Sequence, residues 1–324
     1  MCPVWQPGTC SLSGMSPLRS VAVQTARVLA GTAVLGGASL GYASLYEVNA
    51  YRLRRVEVPV LPEGADPLRV LQISDLHMTP GNRRRQEFVS RLAALEPDLV
   101  VDTGDNLAHR EAVPFVLRSL GRLLERPGVY VWGSNDYFAP SFRNPLRYLT
   151  QPSRHGELPP PLPWPDLGRG FEAAGWVDLS DRRATLEVNG LRLGFRGTDD
   201  AHLARDHYDL VAWPVDRSAV DVTIGVTHAP YRRVIDAMTA DGLDLLIAGH
   251  THGGQVCVPG YGALVTNCDL DTARVKGLSS NTSGGHTAAL HVSAGLGTSP
   301  YAPIRFACPP EATLLTLVAR NSVP

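Results

Sequence analysis

Residues 68–77 read LRVLQISDLH. Seven apolar or strand-compatible positions, 68–74, run without a break and then meet Asp75, with His77 two residues on. The run predicts a buried strand, and the Asp-x-His that ends it sets the question the rest of the chain has to answer. In an extended segment, residues i and i+2 point to the same side, so Asp75 and His77 share a face. An aspartate and a histidine at the tip of one strand are a common surface turn. They become a site only if other strands deliver partners to the same place.

Reading outward, the same arrangement recurs. A helix-spaced stretch over 84–97 precedes the strand DLVVDTG (98–104), which ends at Gly104-Asp105-Asn106. A second helical stretch, 111–125, precedes GVYVWG (128–133), which ends at Ser134-Asn135-Asp136. Strand, helix, strand, helix, strand predicts a parallel sheet with right-handed crossovers. The second half is richer in strands: a hairpin over 183–197 turning at Asn189-Gly190, then 221–228, 243–250, 286–295 and 312–319, with one helix over 230–240. DVTIGVT ends at His228, and LDLLIA ends in GHTHGGQ, which holds His250 and His252. The pattern predicts two packed sheets flanked by helices.

Ligands of open α/β sheets bind outside the carboxyl ends of the strands. Asp75, His77, Asp105, Asn135, His228, His250 and His252 would converge there. The set mixes oxygen with imidazole and contains no cysteine, which suits Mn, Fe, Zn or Co over calcium or a structural zinc. Seven side chains are too many for one ion and fit two that share a carboxylate, an arrangement used to hydrolyse phosphate esters.

The blocks DxH, GD, an asparagine-bearing turn, a lone His and GHxH stand in the order of the calcineurin-like metallophosphoesterases, which the chain resembles over roughly 66–318. ISDLH, GDN, THAP, GHTHGGQ, PGYGALVTN and GTSPYAPIRF make it similar to the bacterial, membrane-anchored YkuE and YaeI type. The resemblance implies a four-layer α/β/β/α sandwich. It implies one metal on Asp75, His77 and His252, a second on Asn135, His228 and His250, and Asp105 bridging. Attack on phosphorus would come from a hydroxide bridging two divalent ions. The substrates implied are phosphoester or pyrophosphate bonds, extending to lipid-linked nucleotides such as UDP-2,3-diacylglucosamine. Phosphodiesters of the cell wall or of small molecules are the alternative, and a binding scaffold with a decayed site is the alternative of another class.

The third block departs from the family, which writes Gly-Asn-His followed by Asp or Glu where this chain has Gly133-Ser134-Asn135-Asp136. Ungapped, Ser134 takes the ligand position. Shifted by one, Asn135 does, and an amide oxygen is the better ligand. No histidine stands here, so a water, Asp136 or a histidine from elsewhere, with His202 the candidate, is expected to serve as the acid. His202 lies in RGTDDAH (196–202), where Asp200 and His202 are the expected substrate-binding pair. His109, His155, His207, His286 and His291 are read as structural or surface residues.

The expected organisation is an unstructured stretch 1–18, a membrane-anchor helix over 19–48, a linker over 49–65 in which VEVPVLP (56–62) reads as a strand, and a catalytic domain over 66–320 with a Pro-rich insertion at 139–168. Residues 28–46 carry no charge and are near the length that crosses a bilayer. Arg19 and Arg27 precede them and Arg52, Arg54 and Arg55 follow, so charge gives no orientation. Arg143, Arg147 and Arg154 in the insertion are candidates to meet phosphate. A formal net charge of −1 gives no basic excess for nucleic acid. Five cysteines without a CxxC pair support neither a zinc knuckle nor a disulfide framework.

Overall fold

The structure, a computed structural model, describes residues 17–141 and 159–320. Arg143, Arg147, Arg154, His155 and the stretch 1–16 lie outside the described residues. The chain divides into two units, Met1–Tyr42 and Ala43–Pro324. In the first, helix α1 spans Pro17–Gly41. A helical stretch from Gln24 to Asn49 is long and apolar enough to cross a membrane.

The second unit contains, among the described residues, two six-stranded sheets. The first is ordered β1 (Arg52–Leu61), β14 (Glu311–Ala319), β2 (Leu68–Ile73), β3 (Leu99–Asp102), β4 (Gly128–Tyr130) and β5 (Val177–Asp178). The second is ordered β12 (Gly277–Ser283), β13 (His286–Val292), β9 (Leu245–Ala248), β8 (Val222–Thr227), β7 (Leu191–Gly197) and β6 (Arg183–Val188). β2, β3, β4 and β5 run parallel, as do β13, β9, β8 and β7. Their carboxyl ends therefore open on one edge of each sheet.

Three apolar clusters make the layers. Val70, Val101, Val129 and Leu315 of the first sheet pack against Leu193, Ile224 and Ile247 of the second. The other face of the first sheet carries Leu71, Val100 and Tyr130 under α2 (Arg83–Arg91), α3 (Val113–Leu120) and α5 (Trp164–Ala173). The other face of the second sheet carries Leu246, Ala288 and Leu290 under α6 (Arg232–Ala240). This is the expected α/β/β/α stack. One polar bridge crosses its dry middle: His291 of β13 meets Gln72 Oε1 of β2 at 2.6 Å, and Gln72 Nε2 donates to Ala248 O at 2.8 Å.

Three boundaries differ from expectation. The stretch expected as a linker contains β1, paired in parallel with β14 from Arg52 to Leu61, so the sheet begins well before residue 66. The expected anchor helix leaves α geometry at Gly41, and Ala43, Glu47 and Val48 are buried in the catalytic unit. The Glu47 carboxylate accepts the backbone N–H groups of Ala307 and Cys308 at 3.1 and 2.6 Å, which a membrane-embedded residue would not do. The end of the expected insertion is the start of α5. Its Trp164 ring packs edge-on to Trp132 and Tyr137, at 5.5 and 5.2 Å between centroids.

Candidate active site

β2, β3, β4, β8 and β9 each lead into a residue of the expected set, and at several of them the backbone is bent to aim it. Asp75, His77, Asp105, His250 and His252 have φ of 51, 40, 58, 69 and 50°. Left-handed backbone is unfavourable for side-chain-bearing residues and persists where surrounding structure enforces it. The enforcement is visible. Asp75 N–H donates to Gly104 O at 2.8 Å and His77 N–H to Asp105 O at 2.9 Å, so the loops after β2 and β3 lock together. Gly133 lies so close to this pair that a Cβ there would stand 2.7 Å from His228 Cε1 and 2.8 Å from Asp105 N.

Two clusters result, and they share one atom. Ligand atoms of Asp75, His77, Asp105 and His252 lie within 4.8 Å of one another. His77 Nε2 and His252 Nε2 are 3.2 Å apart. On the other side, His228 Nε2 stands 3.3 Å from His250 Nδ1. Asp105 Oδ2 is 3.5 Å from His77 Nε2 and 3.5 Å from His228 Nε2, which puts it between the two. Asn135 reaches the same oxygen, with Nδ2 at 2.7 Å, and its backbone N–H donates to Asp105 Oδ1 at 2.7 Å. Ser134 also lines the cavity, with Oγ 3.4 Å from the Asn135 amide.

The outer nitrogens of the imidazoles are held by carbonyl oxygens. His228 Nδ1 meets Thr103 O at 2.7 Å, His252 Nδ1 meets Gly297 O at 3.0 Å, and His250 Nε2 meets Asn267 O at 3.3 Å. A carbonyl only accepts, so each of these nitrogens carries a proton, and the inward nitrogens of His250 and His252 keep a lone pair. Burial would lower His228, but the Asp105 carboxylate outweighs it and holds that imidazole well above its ordinary value. Burial lowers His77 to about 4 and pushes His250 and His252 well below the usual range, so all three are neutral at pH 7. Burial would raise Asp105, but His228 outweighs it and holds the carboxyl well below its ordinary value. Asp75 Oδ1 and His77 Nδ1 are buried without a hydrogen-bond partner. Neutral imidazoles around an ionised carboxylate, with an orphaned carboxylate oxygen facing them, suit divalent cations.

Two buried arginines hold the loops from behind, and the sequence offered no pattern for either. The Arg305 guanidinium reaches five carbonyls, among them His252, Ala294 and Gly297, at 3.4, 2.7 and 2.8 Å. Arg85 on α2 donates to Leu76 O and His77 O at 2.6 and 2.7 Å. Arg305 lies in GTSPYAPIRF, where its fixed fork of donors can bridge several carbonyls at once.

The remaining expected residues divide. His202 lines the cavity, its ring centroid 4.6 Å from that of His250, with Nδ1 3.1 Å from Tyr231 Oη. The loop that carries it is tied to the Ser134–Tyr137 turn through Asp199, which accepts from Tyr137 Oη at 2.6 Å and Arg205 Nε at 2.9 Å. Asp136, expected as an acid, is wholly buried. Its oxygens accept the N–H groups of Asp105, Asn106, Leu107 and Gly133 at 2.8, 2.8, 3.2 and 3.0 Å. It holds the Asp105 loop in shape and presents no atom to a substrate. Asp200, expected to bind substrate, is also wholly buried and caps the His202 turn, accepting His202 N–H at 2.9 Å. Cys257 and Cys308 are buried free thiols, and Cys268 is a half-buried one.

The mouth of the site is a cavity of about 470 Å³. His77, Asp105, Asn135, His202, His250 and His252 form its polar floor, while Phe138, Val256, Leu264 and Ile304 form an apolar side. A parallel-sheet sandwich with this residue set defines a hydrolase of phosphoric esters that works with metal ions. The chain belongs to the calcineurin-like phosphoesterase family, whose pattern matches residues 68–254. It is similar to the uncharacterized metallophosphoesterase YkuE of Bacillus subtilis, 24% identical over 90% of this chain and 94% of that one. Phosphodiesterase YaeI of Escherichia coli is 24% identical over 86% of this chain and 92% of its own. A transmembrane protein with metallophosphoesterase domain from Bos taurus is 27% identical over 78% of this chain, which spans 54% of that protein.

Proposed function

We propose that this chain is a membrane-anchored phosphodiesterase or pyrophosphohydrolase with a two-metal centre. The observation that carries it is the position of Asp105 Oδ2, 3.5 Å from an inward nitrogen of each histidine cluster. Asp75, His77 and His252 would hold one ion, Asn135, His228 and His250 the other, and Asp105 both. Asn135 would turn its amide so that Oδ1 replaces Nδ2 toward the shared site. When bound, such ions act as Lewis acids and lower the pKa of water.

The protein's own part is positioning. Thr103, Gly297 and Asn267 carbonyls fix the ring orientation of His228, His252 and His250. Asp136 sets the turn that presents Asp105 and Asn135. His202, in place of the histidine that the third block lacks, would donate a proton to the departing oxygen from the nitrogen opposite its Tyr231 contact. The apolar side of the cavity favours a substrate with a hydrocarbon portion, such as a lipid-linked nucleotide.

The test is hydrolysis of bis-p-nitrophenyl phosphate by the full chain in detergent with Mn, Fe, Zn or Co. The reading requires turnover that a chelator stops and one of these ions restores. Absence of turnover with every ion, together with no bound metal by elemental analysis, would overturn it in favour of a binding scaffold.

A further inference from the structure

The catalytic unit carries an apolar edge that the chemistry above does not use. The small hairpin of β10 (Cys257–Val258) and β11 (Gly262–Ala263) exposes Val258 and Tyr261 at 42% and 77%. Val256 and Leu264, at its two feet, are also exposed, and Tyr301 of the neighbouring loop is 53% exposed. Neither VCVPGYGAL (256–264) nor SPYAPI (299–304) contains a charged residue. Contiguous exposed apolar surface of this kind marks an interaction site. The two segments form one surface: Cys257 N–H donates to Phe306 O at 2.8 Å, Phe306 N–H to Gln255 O at 3.1 Å, and Gln255 Nε2 to Ala302 O at 2.9 Å. Val256, Leu264 and Ile304 belong to the cavity wall as well. Apolar surface thus runs from the outer hairpin to the floor that holds His250 and His252.

The path of the chain indicates what covers this edge. The catalytic unit begins at Ala43, immediately after the apolar helix. Ala43 O accepts Arg305 N–H at 3.1 Å, and Glu47 binds the N–H groups of Ala307 and Cys308. The entry point of the chain is therefore stitched to residues 305–308, the stretch that follows loop 299–304 and pairs with the foot of the hairpin. Leu45 and Tyr46, at that entry, are exposed at 74% and 60%. Tyrosines among short aliphatic residues, without charge, suit the boundary between headgroups and acyl chains.

We infer that hairpin 256–264 and loop 299–304 dock into the lipid–water interface of the bilayer that the N-terminal helix crosses. The cavity then takes its phosphoester from that interface, with the hydrocarbon portion lying along Val256, Leu264 and Ile304. This inference rests on the proposed hydrolase reading for its substrate and on the exposed edge for its partner.

The test uses the full chain in nanodiscs of phosphatidylcholine and phosphatidylglycerol, with photoreactive p-benzoylphenylalanine at Tyr261 or, as control, at Thr287. Thr287 is exposed near the amino end of β13, away from the site. Illumination should give a phospholipid adduct at position 261 and none at 287. No adduct, an adduct to a second copy of the chain, or equal labelling at both positions would overturn the docking. The same samples are assayed on bis-p-nitrophenyl phosphate. Lipid labelling with dead enzyme would refute the hydrolase reading alone, and active enzyme without labelling would refute the docking alone. As a second measure, the Val258→Ser, Tyr261→Ser double variant should lower kcat/KM for hexadecyl p-nitrophenyl phosphate in vesicles about tenfold relative to the soluble diester. An unchanged ratio would count against the inference.

Discussion

Gly249 precedes His250, and its backbone leaves β9 against the tip of β2. A methyl added there would overlap Ser74 Oγ and stand 2.8 Å from Asp75 Oδ2 and 3.0 Å from Thr103 Oγ1. Ordinary carbon–oxygen contact begins near 3.4 Å, and all three neighbours are buried at the sheet junction. Its φ lies outside the left-handed range, so alanine is free of backbone strain and the cost is steric. Overpacking of this kind costs about 1–3 kcal/mol. Displacing Ser74 also breaks its hydrogen bond to Asp75 Oδ2, which adds roughly 1 kcal/mol. Gly249→Ala should therefore lose about 2–4 kcal/mol in urea unfolding, which corresponds to roughly 5–10 °C in Tm. It should also weaken metal binding, because Asp75 is the residue pushed aside. Gly81→Ala, with nothing within 4 Å of the added carbon, is the control and should be near neutral. If Gly249→Ala unfolds within about 0.5 kcal/mol of the parent and retains its metal, the packing of β9 on Ser74 and Asp75 is misdrawn.

Three further outcomes follow from the site and its supports. His202→Asn should lower kcat for a diester with a poor leaving group by about 10²-fold or more, leave bound metal unchanged, and flatten the basic limb of the pH profile; an unaltered profile would remove His202 from proton transfer. Arg305→Lys, which cannot span the five carbonyls, should weaken metal affinity by about 10–100-fold by competition with a chelator, and equal affinity would show that the guanidinium is dispensable. His291 has its pKa lowered by burial to about 4 from 6.5, so the unfolded chain binds a proton that the folded chain refuses between those values. Its contribution is present above about pH 6.5 and lost as pH falls toward 4, and His291→Asn should reduce the loss of stability between pH 7 and 4.5 in urea titrations.

Much of this was legible because the chemistry-bearing residues sit at strand ends, where continuous apolar runs stop abruptly. LRVLQIS and LDLLIA announce buried parallel strands, and the residues just beyond them can only point to the shared edge. The register of the third block was harder. Ser134, Asn135 and Asp136 all carry suitable oxygens, and only the fold distinguishes them: Asn135 faces Asp105 while Asp136 turns inward to four backbone N–H groups. Asp200 is hard to place for a similar reason, since a turn cap and a substrate contact look alike in sequence. VEVPVLP (56–62) reads locally as a strand, but nothing local ties it to the sheet, because its partner β14 lies more than 250 residues away. The arginines that brace the loops left no local signature at all, because a carbonyl acceptor belongs to the backbone and can be any residue.

The central claim is that Asp105 joins two metal positions. Electron paramagnetic resonance of the Mn-loaded full chain tests it directly, with metal counted in the same sample. Two ions about 3.5–4 Å apart should give the signal of a spin-coupled pair. Asp105→Asn should lose that coupling and the hydrolysis of bis-p-nitrophenyl phosphate while unfolding as a folded protein does in urea. A single uncoupled Mn signal in the parent, or coupling and activity that survive in Asp105→Asn, would contradict the account.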